Sequence, residues 1–138
     1  HEGTDITVIA CGRTVLSALE AAEIAKRQGL SVRVLDMHTV KPIDADAVLQ
    51  AVGETRRIIT VEDHNVFGGL GSAVAGVIAA SGKGCVLRKL GLQDEFSIVG
   101  YPEDLLHRYG LDGDGIAEAI QQVMKTDFEA DEDWEDEV

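Results

Sequence analysis

Three side chains in a row, Glu62-Asp63-His64, carry the residue types of general acid–base chemistry, and they close the apolar β-branched run Ile58-Ile59-Thr60-Val61. A glycine-bearing turn follows them, Asn65-Val66-Phe67-Gly68-Gly69, and then a helix opening on small residues, Leu70-Gly71-Ser72-Ala73-Val74. A second turn of the same kind, Gly12-Arg13-Thr14, follows the apolar run Ile6–Cys11. Free amides at a helix start beside a cation can hold an anion. Gly12, Arg13, Thr14, Asp63, His64, Asn65, Gly68 and Gly69 are therefore the candidate anion or interface loops. The same glycines would also serve if all they did was let a strand turn sharply into a helix. Both roles stay open at this point.

Other chemistry is weakly represented. Glu62 and Asp63 are adjacent, so at a strand end they face different ways and form no acid–base pair. Ser72 stands inside a helix rather than on a nucleophile elbow. Gly68-Gly69-Leu70-Gly71 follows the third strand with the wrong spacing for a dinucleotide loop. His1, His38, His64 and His107 fall in separate segments without metal-ligand spacing. His64 is expected to hold its turn by hydrogen bonds, and His38 to hydrogen-bond after a strand end. His107 reads as a surface or packing residue. No catalytic, cofactor-binding or metal-binding residue is expected.

These loops need a frame, and the order of elements supplies one. Strands are expected at Ile6–Cys11, Ser31–Met37, Arg57–Glu62 and Cys85–Leu90. Between and after them lie helices at about Val15–Gln28, Asp44–Thr55, Gly69–Ala80, Pro102–Tyr109 and Gly113–Lys125. In the first helix Leu16, Leu19, Ala22, Ala25 and Ile24 recur at helical spacing. Gly29 suits its left-handed cap, and Asp44 is a natural N-cap for the second. Steady alternation with short connections predicts one α/β domain, a three-layer α/β/α sandwich on a mainly parallel, doubly wound sheet of order 2-1-3-4. In that order the two glycine turns leave neighbouring strands for opposite faces and flank a crevice at the carboxyl edge.

Composition narrows the partners. Twelve Lys and Arg stand against 25 Asp and Glu, for a net charge of −13. Nucleic-acid binding needs clustered cations and is not expected. Eight acidic residues and no basic one fall between Asp127 and Val138. The organisation predicted is thus a domain over 1–126 and a self-repelling acidic tail over 127–138, in which Phe128 and Trp134 are candidates to dock on a neighbouring surface. No apolar run reaches the length of a membrane span, and no signal peptide is evident. Cys11 and Cys85 lie in apolar runs and are expected to be reduced and buried, which fits a cytoplasmic protein. The start at His1 rather than methionine predicts a processed or excised piece.

Five separated segments resemble one family, the C-terminal domain of transketolases. They are Glu2–Ala10, Asp36–Asp44, Thr60–His64 with Gly68–Val74, Gly91–Phe96 and Tyr109–Asp112, and the similarity runs from about Gly3 to Met124. The wording looks most like split transketolases, whose catalytic halves are separate polypeptides. Deoxyxylulose-phosphate synthases and 2-oxoacid dehydrogenase beta subunits share the domain and are alternatives, as is a regulatory module for an anionic metabolite. The resemblance implies a domain that supports two-carbon ketol transfer between sugar phosphates in the pentose phosphate reactions. It also implies amino-terminal catalytic domains or a catalytic subunit as partner, and a homodimer. Thiamine diphosphate and a divalent cation (Mg) would belong to the complete enzyme and not to this chain. Asp112-Gly113-Asp114-Gly115 looks like the family's diphosphate–metal segment, but no Asn follows it and no buried strand precedes it. It reads as a helix-cap turn. The edge strand that precedes Gly3 in the family is mostly lacking, and the isolated chain is expected to be inactive.

Overall fold

The computed structural model describes residues 1–126; the acidic tail and its two aromatics lie outside the described residues. Four strands, β1 (Ile6–Ala10), β2 (Val32–Asp36), β3 (Arg57–Asn65) and β4 (Val86–Leu92), form one parallel sheet in the order β2-β1-β3-β4. Five helices complete the described residues: α1 (Thr14–Arg27), α2 (Ala45–Thr55), α3 (Leu70–Ser81), α4 (Pro102–Arg108) and α5 (Gly113–Met124). The doubly wound order expected from the alternation is the one found.

Both faces of the sheet are covered, which explains why β1 is buried at every position and reads as an unbroken apolar run. On one face Ile6, Val8, Ile59 and Val61 pack with the alanines of α1 and with Ile116, Ile120 and Val123 of α5. On the other, Ile9 and Ile58 pack with Val48 and Val52 of α2 and with Leu70 and Val74 of α3. Each fully buried isoleucine contributes roughly 1.5–3 kcal/mol. A buried hydroxyl pair fastens the second face: Thr55 Oγ1 lies 2.9 Å from Thr7 Oγ1, and is 3.0 Å from Ala51 O and 3.1 Å from Arg57 O.

Three details depart from the sequence expectation. The buried face of α1 is Thr14, Ser17, Ala18, Ala21, Ala22 and Ala25, while Leu16 is 67% exposed and Leu19 36%. Small residues win that face because α5 packs on it. Secondly, β3 runs to Asn65 rather than Glu62. A register shift between Val61 and Asn65 carries it past the end of β1 and lets Asn65 pair with Leu92. Asp63, His64 and Asn65 are thus strand residues, not turn residues. Thirdly, Cys11 and Cys85 are free but only half-buried, because each falls just outside its strand. At the β2 edge, His1 and Val34 exchange backbone hydrogen bonds of 3.2 and 3.0 Å, so the first residues cover part of that edge.

Candidate functional site at the carboxyl edge

The two glycine turns do flank one crevice, and the structure specifies what each of their residues does. Gly12 takes a left-handed φ of 61°, which turns β1 into α1. Thr14 is fully buried, and its hydroxyl proton is shared between Cys11 O at 2.8 Å and Val61 O at 3.0 Å. That contact ties the start of α1 to the ends of both central strands. Arg13 is the N-cap residue of α1, with its guanidinium half exposed and 4.0 Å from Glu103.

Across the crevice the amides that open α3 already have an anion, and it belongs to the chain. Glu62 is 1% exposed; its Oε1 accepts from Leu70 N at 2.8 Å and its Oε2 from Gly71 N at 2.7 Å. A carboxylate on unpaired amides at a helix start satisfies both the hydrogen-bond deficit and the macrodipole. Sequence reasoning missed this residue as the organiser of the turn; its signal was an acidic residue eight positions before a helix that lacks a capping side chain of its own. His64 Nδ1 sits 2.6 Å from Asn65 O and 3.6 Å from Glu62 Oε1. Asn65 Oδ1 accepts from Phe67 N at 2.9 Å, and Gly68 N donates to Ser72 Oγ at 2.9 Å. His64 and Asn65 therefore hold the turn, as expected of His64. Asp63 is exposed and faces the open crevice.

The hollow between the two turns is lined by Gly12 and Arg13 on one side and by Asp63, His64 and Gly69 on the other. Arg13 also borders a separate cleft of about 930 Å³ on the α1 side, which includes Glu20, Asp36, His38 and Glu103 in its lining. His38 Nδ1 lies 2.7 Å from Thr39 Oγ1. Arg13 is the one arginine or lysine lining this cleft or the adjoining hollow at Cys11 and Asp63, among the described residues. Burial raises the Cys11 thiol above its usual value, and the carboxylates of Glu62, Asp36 and Asp63 push it up further. The field at the strand ends is negative, which favours a cation over an anion there.

Asp112-Gly113-Asp114-Gly115 is a helix cap. Asp112 Oδ1 accepts from Gly115 N at 2.9 Å, and its other oxygen lies 2.6 Å from His107 Nδ1. Both oxygens are thereby committed to the protein. Among the described residues no group of three His, Cys, Asp or Glu side chains is arranged to hold a metal ion. This segment does not fit a diphosphate and its metal.

The profile of a family described as the C-terminal domain of transketolase matches residues 1–116, most of the chain. The chain belongs to the transketolase C-terminal domain family. It is 41% identical over 124 residues to a subunit of the apulose-4-phosphate transketolase of Phocaeicola vulgatus, covering 90% of this chain and 39% of that one. It is also 41% identical over 127 residues to a subunit of the 6-deoxy-6-sulfo-D-fructose transketolase of a Clostridium species, covering 91% and 38%. Among solved structures, a split-gene transketolase described as an inactive β4 tetramer superposes with a TM-score of 0.83 at 37% identity, covering 89% and 40%. The chain thus spans about two-fifths of the length of these relatives. Transketolase from Pichia stipitis, at 17% identity and a TM-score of 0.61, shares the fold. No helix among the described residues is long and apolar enough to cross a membrane.

Proposed function

We propose that this transketolase C-terminal domain is a non-catalytic, supporting part of a thiamine-diphosphate-dependent transketolase. The complete enzyme moves a two-carbon ketol unit between sugar phosphates, and its cofactor and Mg²⁺ sit on an amino-terminal catalytic portion that joins this chain and dimerises with a second copy. The observation that carries the reading is the use of Glu62. The deeply buried carboxylate at the crevice has both oxygens spent on α3, so the first acid of the most acid–base-like triplet in the sequence serves as scaffold. The likeness to subunits named as parts of transketolases supports the same view.

A second reading has a specific support: 1-deoxy-D-xylulose-5-phosphate synthase of Chlorobium luteolum is 37% identical over 126 residues. One experiment separates the two. The chain alone should give no saturable heat with thiamine diphosphate and Mg²⁺ and no turnover. Joined to its amino-terminal portion, it should turn over a ketose phosphate with an aldose phosphate. Activity only with pyruvate and glyceraldehyde 3-phosphate would favour the synthase, and micromolar cofactor binding by the chain alone would refute a supporting role.

A further inference from the structure

The carboxyl edge combines two features that a solvated surface does not need. The first is apolar exposure on the connection from β4 to α4. Phe96 and Val99 are completely exposed, Tyr101 is 78% exposed, and Phe67 on the neighbouring turn is 63% exposed. This loop is not a loose excursion: Asn65 Nδ2 donates to Asp94 near its start at 3.3 Å, and Pro102 begins α4 at its end. Ser97 and Pro102 share a hollow with Arg13 and Asp63, so the apolar loop is continuous with the crevice. Contiguous exposed apolar surface of this kind marks a site of association.

The second feature is charge. Asp36, Glu20 and Glu103 line the cleft and Asp63 stands beside it; among the described residues Arg13 is the one arginine or lysine in those two linings, and Lys89 at the same edge lies over the Phe67 ring. A second copy of this chain would bring the same acidic edge to its own cleft, which like-charge repulsion disfavours. A partner carrying a cation is matched to it.

Resting on the supporting-domain reading above, we infer that the carboxyl edge is the face on which the catalytic portion of the enzyme seats. An apolar surface covers Phe96, Val99 and Tyr101, and a lysine or arginine side chain enters the cleft at Asp36 and Glu103, with Asp63 in the hollow beside it. The apolar contact supplies the area, and the buried cation fixes orientation and registers the partner. Cys11, in the hollow beside Asp63, becomes covered in the assembled enzyme.

The test mixes the full chain with the amino-terminal catalytic portion and measures affinity by calorimetry and size by sedimentation, at low and high salt. Phe96→Ser with Val99→Ser, and Asp36→Asn with Asp63→Asn, should each weaken binding by roughly tenfold or more. The salt dependence should shrink in the Asp-to-Asn pair alone. Assembly should slow alkylation of Cys11, while Lys83→Ser on the opposite edge should change nothing. Circular dichroism checks that each variant is folded. Wild-type chain that binds, with edge variants that bind as tightly, would overturn the docking face and leave the supporting-domain reading intact. Failure of the wild-type chain to bind at all would overturn both. Self-association of the chain that is lost in Phe96→Ser with Val99→Ser would name a second copy as the occupant and overturn the inference.

Discussion

The carboxylate of Glu62 lies in the space a side chain at position 69 would need. A Cβ on Gly69 would come within 1.9 Å of Glu62 Oε1 and 2.9 Å of His64 Nδ1. The glycine, the buried acid and the helix start are one device. Gly69 has no side chain because Glu62 must pass it to reach the amides of Leu70 and Gly71.

Glu62→Ala should therefore destabilise the domain by roughly 3 kcal/mol, since two helix-start amides lose a charged acceptor in a buried setting. Glu62→Gln keeps one acceptor oxygen and should cost about half as much. Gly69→Ala should be comparably damaging through the clash, although neither change removes apolar packing. Urea midpoints of the three variants check this. Equal stability of Glu62→Ala and wild type would show that water replaces the carboxylate.

The buried threonine pair should respond asymmetrically. Thr55 has backbone carbonyls for its proton, so Thr7 is left to donate to Thr55. Thr7→Val removes a donor whose partner remains satisfied, and should be close to neutral. Thr55→Val strands the Thr7 hydroxyl, which is fully buried, and should cost about 1–3 kcal/mol. Thermal denaturation of both variants gives the comparison, and equal losses would reverse the assigned donor order.

The pair His107–Asp112 has a pH window. The hydrogen bond that His107 donates to Asp112, and the charge of that carboxylate, raise the His107 pKa above the usual histidine value. Partial burial alone would raise the Asp112 carboxyl, but the Gly115 amide and His107 outweigh it and its pKa is lowered. The histidine's contribution is complete below its unfolded pKa and is lost as pH rises through the raised folded value. The aspartate's contribution is present above its unfolded pKa and is lost as pH falls through the lowered folded value. Stability from the pair is thus greatest in mildly acidic solution. Its acid side takes the α5 cap with it, whereas its alkaline side costs only the ion pair. In NMR titration His107 should have a raised midpoint in wild type and a lower one in Asp112→Asn, which keeps a competent N-cap.

Much of this was legible because the local signals agree with one another. Uninterrupted β-branched runs marked strands buried on both faces, and glycine turns between them marked the crossovers. Asp44 and Asp112 announced the helices they cap, at 3.0 Å to Ala47 N and 2.9 Å to Gly115 N. What failed to show was tertiary. Leu16 and Leu19 have the right spacing for a core face, but only the packing of α5 on α1 decides that alanines take it. The length of β3 depends on a shifted pairing with β4, and polar residues such as Asp63 and His64 carry no strand signal. The two candidate loops border one hollow, as their place after neighbouring strands predicts. What the sequence did not show is that Glu62 occupies the amides of α3, and that the carboxylates of Asp36 and Asp63 reach the carboxyl edge from two different strands.

The shared proton of Thr14 has a consequence for how anything could enter between those loops. One hydroxyl ties the carbonyl just past β1 and a carbonyl inside β3 to the first turn of α1, which braces the gap against spreading of its walls. Arg13, one residue earlier, is mounted on that post with its guanidinium half exposed and 4.0 Å from Glu103. The mouth is braced on that side, and Arg13 is the cation that borders it. Entry should then proceed as a rigid encounter, at a rate set by diffusion and ionic strength rather than by a slow rearrangement of the chain.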